Sequence, residues 1–364
     1  MELIFKNKEP ISKILEVADK YEGYGKLALD NSMVIYGDNF AEMAKLLKSK
    51  KGFLDLVYID PPFNTNQCFY ISNGRANTIS NSKSGKVAYS DIMESDEFIK
   101  FLYERFVLIR ELLSEKGSLY VHIDKKMGHC IKIILDEIFG AENFKNDITR
   151  IKSNPKNFDR KAYGNETDMI LFYSKNYRHS IWNECKIPLT KNEVEKKFTK
   201  TDENGRRYTT IPLHAPGETL DGITGKPWRN IMPPKGRHWR TDPAEFDRLD
   251  ALGRIEWSKN GNPRIKKYAD EHKGKKIQDV WLFKDPQNPK YPTQKNIDLI
   301  KQIIAQSSNV NGYVMDCFAG SGTTLVAANE LGRKFIGIDI SKQAIKVINK
   351  TLKNVDYITV NGIN

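Results

Sequence analysis

Two short motifs in this sequence place reactive side chains where a predicted strand ends. The first is Asp60-Pro61-Pro62-Phe63, which follows the run of aliphatic and aromatic residues at Leu54–Ile59. Such a run fits a strand buried on both faces, and two prolines cannot continue a sheet ladder. Asp60 is therefore expected at the carboxyl end of a strand, where ligands bind in open α/β sheets. A strand followed by a plain Pro-Pro turn, without chemistry, is the alternative.

The second motif is a glycine-rich turn far along the chain. A short apolar strand at 313–316 enters the turn Cys317-Phe318-Ala319-Gly320-Ser321-Gly322-Thr323-Thr324, a helix is predicted over 325–331, and a further strand ends at Asp339. Glycines let a backbone approach a ligand closely, a helix start offers free N–H groups, and the final acid can bind two ribose hydroxyls. This order of elements predicts a nucleoside site.

The glycine-rich turn lacks the features of two common phosphate sites. A dinucleotide fingerprint has a third glycine where this chain has Leu325, and a P-loop has a lysine that Gly322-Thr323-Thr324 does not contain. The ligand is therefore expected to be a nucleoside without a pyrophosphate, and S-adenosyl-L-methionine fits. Because of Leu325, a nicotinamide oxidoreductase is the least favoured class.

Together the two motifs resemble those of the beta-class DNA amino-methyltransferases, whose catalytic half precedes the cofactor half. Three further segments extend the resemblance to the Mod-like adenine-specific enzymes of restriction-modification systems; they are Gly37-Asp38-Asn39, the segment 117–124, and Tyr291-Pro292-Thr293-Gln294-Lys295. The similarity covers the spans 33–175 and 278–352 and is weaker between them.

This resemblance implies an α/β fold and a domain plan. The fold is a Rossmann-like S-adenosylmethionine-dependent methyltransferase sheet of seven strands, circularly permuted, in which the strands bearing Asp60 and Asp316 lie side by side. The expected parts are an N-terminal helical extension (1–32), a catalytic half (33–175), an inserted target-recognition region (176–277) and a cofactor-binding half (278–364).

The resemblance also assigns the site residues. The catalytic set is Asp60, Pro61, Pro62 and Phe63. The cofactor-binding set is Asp38, Asp60, Thr293, Lys295, Asp316, Phe318, Ala319, Gly320, Ser321, Gly322, Thr323 and Asp339. Within it, Asp38 is expected near the adenine amino group of the cofactor and Lys295 beside its methionine part. A helix cap is the alternative for Asp38, and a surface charge is the alternative for Lys295.

The implied reaction is methylation of the exocyclic N6 of adenine in double-stranded DNA. An aromatic amine is a poor nucleophile because its lone pair is delocalised into the ring. The Asp60 carboxylate and the Pro61 carbonyl can each accept one N–H bond, which favours a tetrahedral nitrogen facing the sulfonium methyl. The base must leave the duplex, and Phe63 is the candidate to stack on it. Neither a metal nor a covalent intermediate is required.

Three other activities compete with this interpretation. N4 methylation of cytosine is the nearest, although its enzymes more often carry Ser where this chain has Asp60. Methylation of adenine in RNA is the second. A non-catalytic DNA-binding subunit that retains the fold is the third, and the intact Asp60-Pro61-Pro62-Phe63 motif argues against it.

Basic residues predict where nucleic acid binds. The 364-residue chain has a formal charge of +12, which favours a polyanionic partner. Residues 226–240 carry five Lys or Arg and two Trp without an acid, and a second basic cluster lies at 264–276. Solvated surface is the alternative for both segments. The predicted DNA contacts are Trp228, Arg229, Arg237, His238, Trp239, Arg240, Lys266 and Lys267.

The remaining expectations concern context and local structure. The four cysteines are too widely spaced for a CxxC site, and no apolar run reaches the ~18 residues that cross a bilayer, so a cytoplasmic protein is predicted. A homodimer and a cognate restriction endonuclease remain open as partners. Residues 11–18 predict an amphipathic helix, the polar stretch 64–90 predicts a flexible loop, and Thr293 is expected to cap a helix that begins near Pro292.

Overall fold

The computed structural model describes residues 2–25, 30–62, 67–72, 75–76, 86–91, 95–154, 161–287 and 294–362. The chain divides into two compact units. The first, here called the sheet unit, comprises Met1–Cys185 and Gln278–Asn364. The second, the insert unit, comprises Lys186–Ile277.

The sheet unit begins with alternating helices and strands. In chain order these are α1 (Ile11–Ala18), β1 (Met33–Tyr36), α2 (Asn39–Ser49), β2 (Leu54–Ile59), β3 (Gln67–Ser72), β4 (Arg75–Ala76), β5 (Lys86–Asp91), α3 (Ser95–Leu112), β6 (Leu113–Ile123), α4 (Lys125–Phe139), β7 (Phe144–Ile151) and β8 (Thr167–Ser174). The predicted amphipathic helix at residues 11–18 is confirmed by α1.

The insert unit contains short strands and two helices among its described residues. They are β9 (Lys186–Ile187), α5 (Lys191–Lys197), β10 (Lys200–Thr201), β11 (Arg207–Pro212), β12 (His214–Pro216), β13 (Arg237–Trp239), α6 (Pro243–Ala251), β14 (Ile255–Trp257), β15 (Pro263–Tyr268) and β16 (Lys275–Lys276). Four of these strands form one sheet in the order β10-β11-β15-β14.

The chain then returns to the sheet unit. The closing elements are β17 (Val280–Leu282), α7 (Ile297–Ser307), β18 (Tyr313–Asp316), α8 (Thr323–Glu330), β19 (Lys334–Asp339), α9 (Lys342–Thr351) and β20 (Ile358–Asn361). They complete a nine-stranded sheet in the order β17-β7-β8-β6-β2-β18-β19-β1-β20. In this sheet β8 runs antiparallel to both of its neighbours, and the remaining pairs are parallel.

This sheet confirms the predicted α/β methyltransferase fold. The strand that leads to Asp60 pairs in parallel with the strand that ends at Asp316, although the two are far apart in sequence. Seven strands were predicted; the two additional strands are β17 and β20, which pair at opposite edges. The inner strands are apolar because helices cover both faces. Burial of each large apolar side chain contributes about 1.5–3 kcal/mol.

Two local predictions in the sheet unit are wrong. The stretch 64–90, predicted as a loop, contains β3, β4 and most of β5, which pair antiparallel in a small sheet. Helix α7 begins at Ile297, and its cap is Asn296, whose side chain accepts from the N–H groups of Asp298 and Leu299. The expected cap, Thr293, lies outside the described residues.

The core of the insert unit explains a third correction. Trp228 and Trp239 are each 2% exposed and pack around Phe246 in this core. Their indole N–H groups donate inside the unit, to Asp247 Oδ1 at 3.0 Å and to the carbonyl of Lys226 at 2.8 Å. The prediction that these two rings contact DNA is therefore wrong, since both form part of the core.

None of the described helices is sufficiently long and apolar to span a membrane.

Candidate active site and nucleic-acid surface

Four carboxylates lie along one edge of the central sheet. Asp60 follows β2, Asp316 ends β18, Asp339 ends β19, and Asp38 follows β1 by two positions. These strands are consecutive neighbours and mutually parallel, so their carboxyl ends meet at the same edge. Four acids at one edge create a negative potential that favours a cationic ligand.

Asp60 is held asymmetrically. Its Oδ2 accepts from Lys295 Nζ at 2.6 Å, in a pair whose side chains are 16% and 9% exposed. Its Oδ1 is buried and has no hydrogen-bond partner among the described residues. Lys295 is therefore not a surface charge, and one oxygen of Asp60 remains available as an acceptor. Pro61 is buried and Pro62 is half-buried, whereas Phe63 lies outside the described residues.

The glycine-rich turn brings backbone close to this edge. Gly320 and Gly322 have positive φ angles of 51° and 78°, which favour glycine. A Cβ on Gly322 would also come within 2.9 Å of Ile348 Cγ1. Gly322 caps α8 without a side-chain hydrogen bond, so the first N–H groups of the helix are not occupied by a capping side chain.

Asp316 and Asp339 fix the turn to the sheet. Asp316 accepts from Thr324 Oγ1 at 2.6 Å and from the N–H of Phe318 at 3.0 Å. Asp339 accepts from the N–H of Gly320 and from the N–H of Ser341, each at 2.7 Å. Because each carboxylate oxygen has a second lone pair, Asp339 can still accept from a ligand hydroxyl.

The pKa values of these acids reflect the crowding of negative charge. Burial raises the pKa of Asp316 to about 7, the hydrogen bonds from Thr324 and Phe318 oppose the rise, and the charges of Asp60 and Asp339 add to it. Burial likewise raises the pKa of Asp339. A cationic ligand beside Asp316 would favour its ionised form.

Asp38 has the predicted alternative role as a helix cap. Its Oδ1 accepts from the N–H groups of Phe40 and Ala41 at the start of α2. Its Oδ2 accepts from Arg105 Nη2 at 3.2 Å, and the side chain remains 47% exposed. Capping uses one oxygen only, so the cap does not prevent the other oxygen from facing a ligand.

A buried polar chain lies behind Asp60 and was not predicted from the sequence. The Tyr58 hydroxyl is 2.9 Å from His122 Nδ1, and His122 Nε2 is 3.1 Å from Asp168 Oδ2. Burial and the charge of Lys295 lower the pKa of His122, so the neutral imidazole donates from Nε2 and accepts the Tyr58 hydroxyl at Nδ1. The sequence feature that could have indicated these buried hydrogen bonds is a Tyr, a His and an Asp within otherwise apolar strands.

The predicted DNA contacts of the insert unit differ in how their charges are balanced. Arg229 forms salt bridges with Asp247 and Asp250, both on α6. Arg237 and Arg240 are exposed and form no salt bridge with a described residue. His238 donates from Nδ1 to the carbonyl of Gly217 at 2.7 Å. Arg229 is therefore a weaker candidate for phosphate binding than Arg237 or Arg240.

His214, which the sequence did not single out, and Arg264, from the second basic cluster, lie near two of the predicted arginines. His214 Nδ1 lies 3.3 Å from Arg237 Nη1, and Arg264 Nε donates to Thr210 Oγ1 at 2.9 Å. Burial and the charges of Arg237, Arg240 and Arg264 lower the pKa of His214, which places all four side chains in one electrostatic environment. We call the three arginines Arg237, Arg240 and Arg264 the cationic cluster; His214, whose pKa is lowered, lies among them as a neutral side chain.

The two lysines predicted on β15 lie on different faces of that strand. Successive side chains of a strand alternate, so Lys266 shares the face of Arg264 whereas Lys267 lies on the opposite face. Lys266 Nζ is 5.4 Å from the centre of the Tyr208 ring. Only Lys266 therefore lies on the same side of the strand as a member of the cationic cluster.

Comparison with known proteins identifies the class to which this fold and site belong. The N6_N4_Mtase family, a DNA methylase family, matches residues 54–350, which include the Asp60 motif and the glycine-rich turn. The chain belongs to this family of DNA methylases, and the predicted class of S-adenosylmethionine-dependent DNA methyltransferase is confirmed. The family covers both adenine N6 and cytosine N4 as methyl acceptors.

Two curated relatives and one solved structure illustrate the similarity. The type II methyltransferase M.EcaI of Enterobacter cloacae is 40% identical over 93% of this chain and 73% of its own length. The Mod subunit of the type III restriction-modification enzyme StyLTI of Salmonella typhimurium is 27% identical over 92% of this chain and only 56% of its own length. The structure of an M1.HpyAVI-SAM complex is 18% identical, covers 88% of this chain and all of its own, and has a TM-score of 0.45.

Proposed function

We propose that this DNA methylase transfers the methyl group of S-adenosylmethionine to the N6 of a flipped-out adenine at a specific site in double-stranded DNA. The observation that carries the proposal is the free Oδ1 of Asp60 beside the Pro61 main chain, with Lys295 on the other carboxylate oxygen. N4-cytosine enzymes more often carry Ser at this position, so Asp60 favours adenine.

Asp60 and Pro61 would act on the target amine. Its two N–H bonds would be directed at Asp60 Oδ1 and the Pro61 carbonyl, so that the nitrogen lone pair projects out of the plane of the base. The carboxylate offsets the positive charge that develops on nitrogen, and a charge-assisted hydrogen bond of this kind contributes about 1.5–3 kcal/mol. Lys295 fixes the carboxylate by holding Oδ2. Phe63, outside the described residues, remains the proposed stacking group.

The acidic edge and the glycine-rich turn fit the cofactor. When bound, S-adenosylmethionine supplies an electrophilic methyl group on a positively charged sulfur. We assign the ribose hydroxyls to Asp339, the open backbone of the turn to the main body of the cofactor, and its adenine amino group to Asp38. The role of Asp316, Phe318, Ala319, Ser321 and Thr323 as neighbours of the cofactor rests on the same assignment, as does that of Thr293, which lies outside the described residues.

The insert unit would recognise the DNA target. The cationic cluster supports this role, because in the insert unit its three arginines lack carboxylate partners among the described residues, whereas Arg229 has two. Guanidinium groups without such partners are free to contact phosphates or guanine edges. We assign the 176–277 region to target recognition, with Arg237, Arg240, Arg264 and Lys266 as its principal candidates.

The relatives suggest a biological setting. M.EcaI is a type II methyltransferase and the StyLTI protein is a Mod subunit of a type III restriction-modification enzyme. We propose the same setting here, in which methylation protects host DNA from a cognate endonuclease in the cytoplasm. The homodimer stays a prediction.

The test is identification of the methylated base. The purified chain is incubated with S-adenosylmethionine and genomic DNA from a host without methyltransferases, and the digested nucleosides are separated by mass spectrometry. N6-methyldeoxyadenosine is the expected product, and N4-methyldeoxycytidine would overturn the choice of base. Methylation of RNA but not DNA would overturn the choice of substrate. Modification-sensitive sequencing of the same DNA then gives the recognition sequence.

A further inference from the structure

Arg105 is a buried arginine on α3, behind the adenine end of the proposed cofactor site. Its side chain is only 8% exposed, and the guanidinium lies 3.8 Å from the centre of the Phe101 ring. Burial of an arginine is costly unless its donors are satisfied, and an apolar residue of similar size is often equally stable at such a position. The contacts of Arg105 therefore need an explanation beyond filling the core.

The guanidinium of Arg105 connects two strand ends of the acidic edge. Nη2 donates to Asp38 Oδ2 at 3.2 Å, and Nε donates to Asn39 Oδ1 at 2.8 Å. Asn39 in turn donates from Nδ2 to the carbonyl of Cys317 at 2.9 Å, immediately before Phe318. One side chain thus fixes the carboxylate that follows β1 and, through Asn39, the main chain that follows β18.

Helix α3 makes a second contact with the same region. The Phe101 ring, which stacks against Arg105, packs against the Phe318 ring with centres 5.9 Å apart and planes tilted by 60°. Arg105 also donates from Nη1 to the carbonyl of Phe101 at 3.2 Å. Phe318 and Asp38 are therefore positioned from the same point on α3.

The hydrogen-bond arrangement at Asp38 determines what this site can recognise. Its Oδ1 is occupied by the two capping N–H groups, and Arg105 takes one lone pair of Oδ2. What remains for a ligand is an acceptor on Oδ2, held by Arg105 in one orientation. A carboxylate acceptor favours a purine with a 6-amino donor and disfavours one with a 6-oxo acceptor.

We propose that Arg105 is a positioning residue that makes the cofactor site selective for a 6-aminopurine, by holding Asp38 Oδ2 and the main chain before Phe318 in place. The inference rests on the proposed function, in which Asp38 receives the adenine amino group. It extends that function by naming a residue that does not touch the cofactor yet sets the specificity of the site.

The experiment measures base discrimination in the full chain. The dissociation constants of S-adenosylhomocysteine and of its 6-oxo analogue S-inosylhomocysteine are determined by calorimetry for wild type, Arg105→Met, Arg105→Lys and Asp38→Asn. Wild type should prefer the 6-amino ligand. In Arg105→Met the preference should fall by roughly tenfold, the value of one charge-assisted hydrogen bond, and Arg105→Lys should restore part of it. Asp38→Asn, whose amide can also donate, should shift the preference toward the 6-oxo ligand.

Controls separate positioning from general damage. Arg110→Met removes a more exposed arginine of the same helix and should leave the ratio unchanged. Loss of fold would weaken the binding of both ligands together, so a purely structural role of Arg105 would not change the ratio of the two dissociation constants. If Arg105→Met does not fold, Arg105→Lys still tests the proposal. If Asp38→Asn changes the ratio and neither Arg105 variant does, the inference about Arg105 is overturned and the role of Asp38 stands. If no variant changes the ratio, the role of Asp38 in the proposed function is overturned as well.

Discussion

The ammonium of Lys295 lies 2.6 Å from one carboxylate oxygen of Asp60, while the other oxygen of Asp60 has no partner among the described residues. The pair joins the end of β2 to the segment before α7, two parts of the chain that lie far apart in sequence. A carboxylate with one oxygen fixed by a salt bridge and the other oxygen unoccupied can accept a hydrogen bond from a donor on a bound ligand. This asymmetry distinguishes Asp60 from Asp316 and Asp339, whose two oxygens each accept a protein hydrogen bond.

The first prediction concerns Asp60→Ala. Methyl transfer should be lost because the target amine has no carboxylate acceptor, while the affinity for S-adenosylmethionine should stay within about one order of magnitude, roughly 1.4 kcal/mol. Transfer is followed with radiolabelled cofactor and binding is followed by calorimetry. Because the substitution removes the carboxylate that faces the buried Lys295 ammonium, the Asp60→Ala/Lys295→Met protein should regain part of any lost thermal stability without regaining activity.

Asp55→Asn is the matched control for Asp60. Asp55 lies on the same strand but at its opposite end, where it accepts from the N–H of Asn309 at 3.1 Å. This variant should keep its methylation activity. A near-normal rate in Asp60→Ala, or an equal loss in Asp55→Asn, would contradict the assignment of Asp60.

The second prediction concerns Asp339→Ala. A carboxylate that binds ribose hydroxyls contributes on the order of 1.5–3 kcal/mol, so the affinity for S-adenosylmethionine should fall by roughly tenfold or more. The variant also loses the bonds to Gly320 and Ser341, which would loosen the turn. Calorimetry measures the change, and Asp298→Asn on α7 is the control, expected to bind normally. Unchanged affinity in Asp339→Ala would refute the ribose assignment.

The third prediction is a pH dependence of cofactor binding. Asp316 has a pKa of about 7 instead of its ordinary 3.8, so its carboxyl group is largely protonated below pH 7. The sulfonium cation favours the ionised form, and affinity should rise as pH increases toward 7 by at most roughly tenfold per pH unit, then level off. In the ligand-free protein the raised pKa has the opposite effect, since the contribution of Asp316 to folding stability is fully present below its ordinary pKa of 3.8 and is lost as pH rises through about 7.

Two comparisons isolate Asp316 from the other titrating groups of the site. Asp316→Asn should bind S-adenosylmethionine more weakly above pH 7 and with little pH dependence. S-adenosylhomocysteine, which lacks the sulfonium charge, should show a flatter profile with wild type. If both cofactors give the same profile, the dependence comes from another group, such as Asp339, whose pKa is also raised by burial.

The fourth prediction tests whether Trp239 is a core residue. Trp239→Ala removes a side chain that is 2% exposed and leaves the Lys226 carbonyl without its donor, so the free energy of unfolding of the insert unit should fall by about 3–5 kcal/mol. Thermal unfolding measures this loss. Trp257→Ala, at an indole that is 43% exposed, should be milder. Weaker DNA binding with an unchanged melting temperature would instead indicate that Trp239 contacts DNA.

The sequence predicted the site residues best where their positions depend on the order of residues along a short segment of the chain. The placement of Asp60, Asp316 and Asp339 at strand ends followed from apolar runs that stop at an acid, with two prolines directly after Asp60 and the glycine-rich turn shortly after Asp316. Those runs report burial directly, and parallel strands bring their carboxyl ends to one edge. The side-by-side position of β2 and β18 depended on the resemblance of the two motifs to a permuted methyltransferase, since hydrophobic pattern does not specify strand order.

Contacts between distant segments escaped prediction. Arg105 occupied a position at helical spacing on the apolar face of α3, and its partner Asp38 is supplied by another element. In the insert unit, local composition made 226–240 seem uniformly basic, but the acids that neutralise Arg229 lie 18 and 21 positions later, on α6. Local composition also gave no sign that Trp228 and Trp239 face inward, because their core partner Phe246 comes from that same helix.

The last prediction concerns DNA binding by the cationic cluster. If Arg237, Arg240 and Arg264 contact phosphates, each single change to Ala should weaken binding to all duplexes alike and reduce the slope of log affinity against log salt by about 0.9. If one of them reads a guanine edge, its loss should cost about 1–3 kcal/mol on the cognate site only. Titrations on cognate and scrambled duplexes at several salt concentrations distinguish the two roles.

Two matched comparisons decide whether the cluster is specific. Arg229→Ala removes a guanidinium already paired with Asp247 and Asp250, so it should leave the salt slope unchanged. Lys266→Ala should reduce DNA affinity more than Lys267→Ala, because only Lys266 shares a strand face with Arg264. If Arg229→Ala and Arg237→Ala have equal effects, the free charge of the cluster is not what binds DNA. If the cluster variants leave affinity and slope unchanged, recognition lies elsewhere in the chain, and the basic segment 273–276 is the next candidate to test.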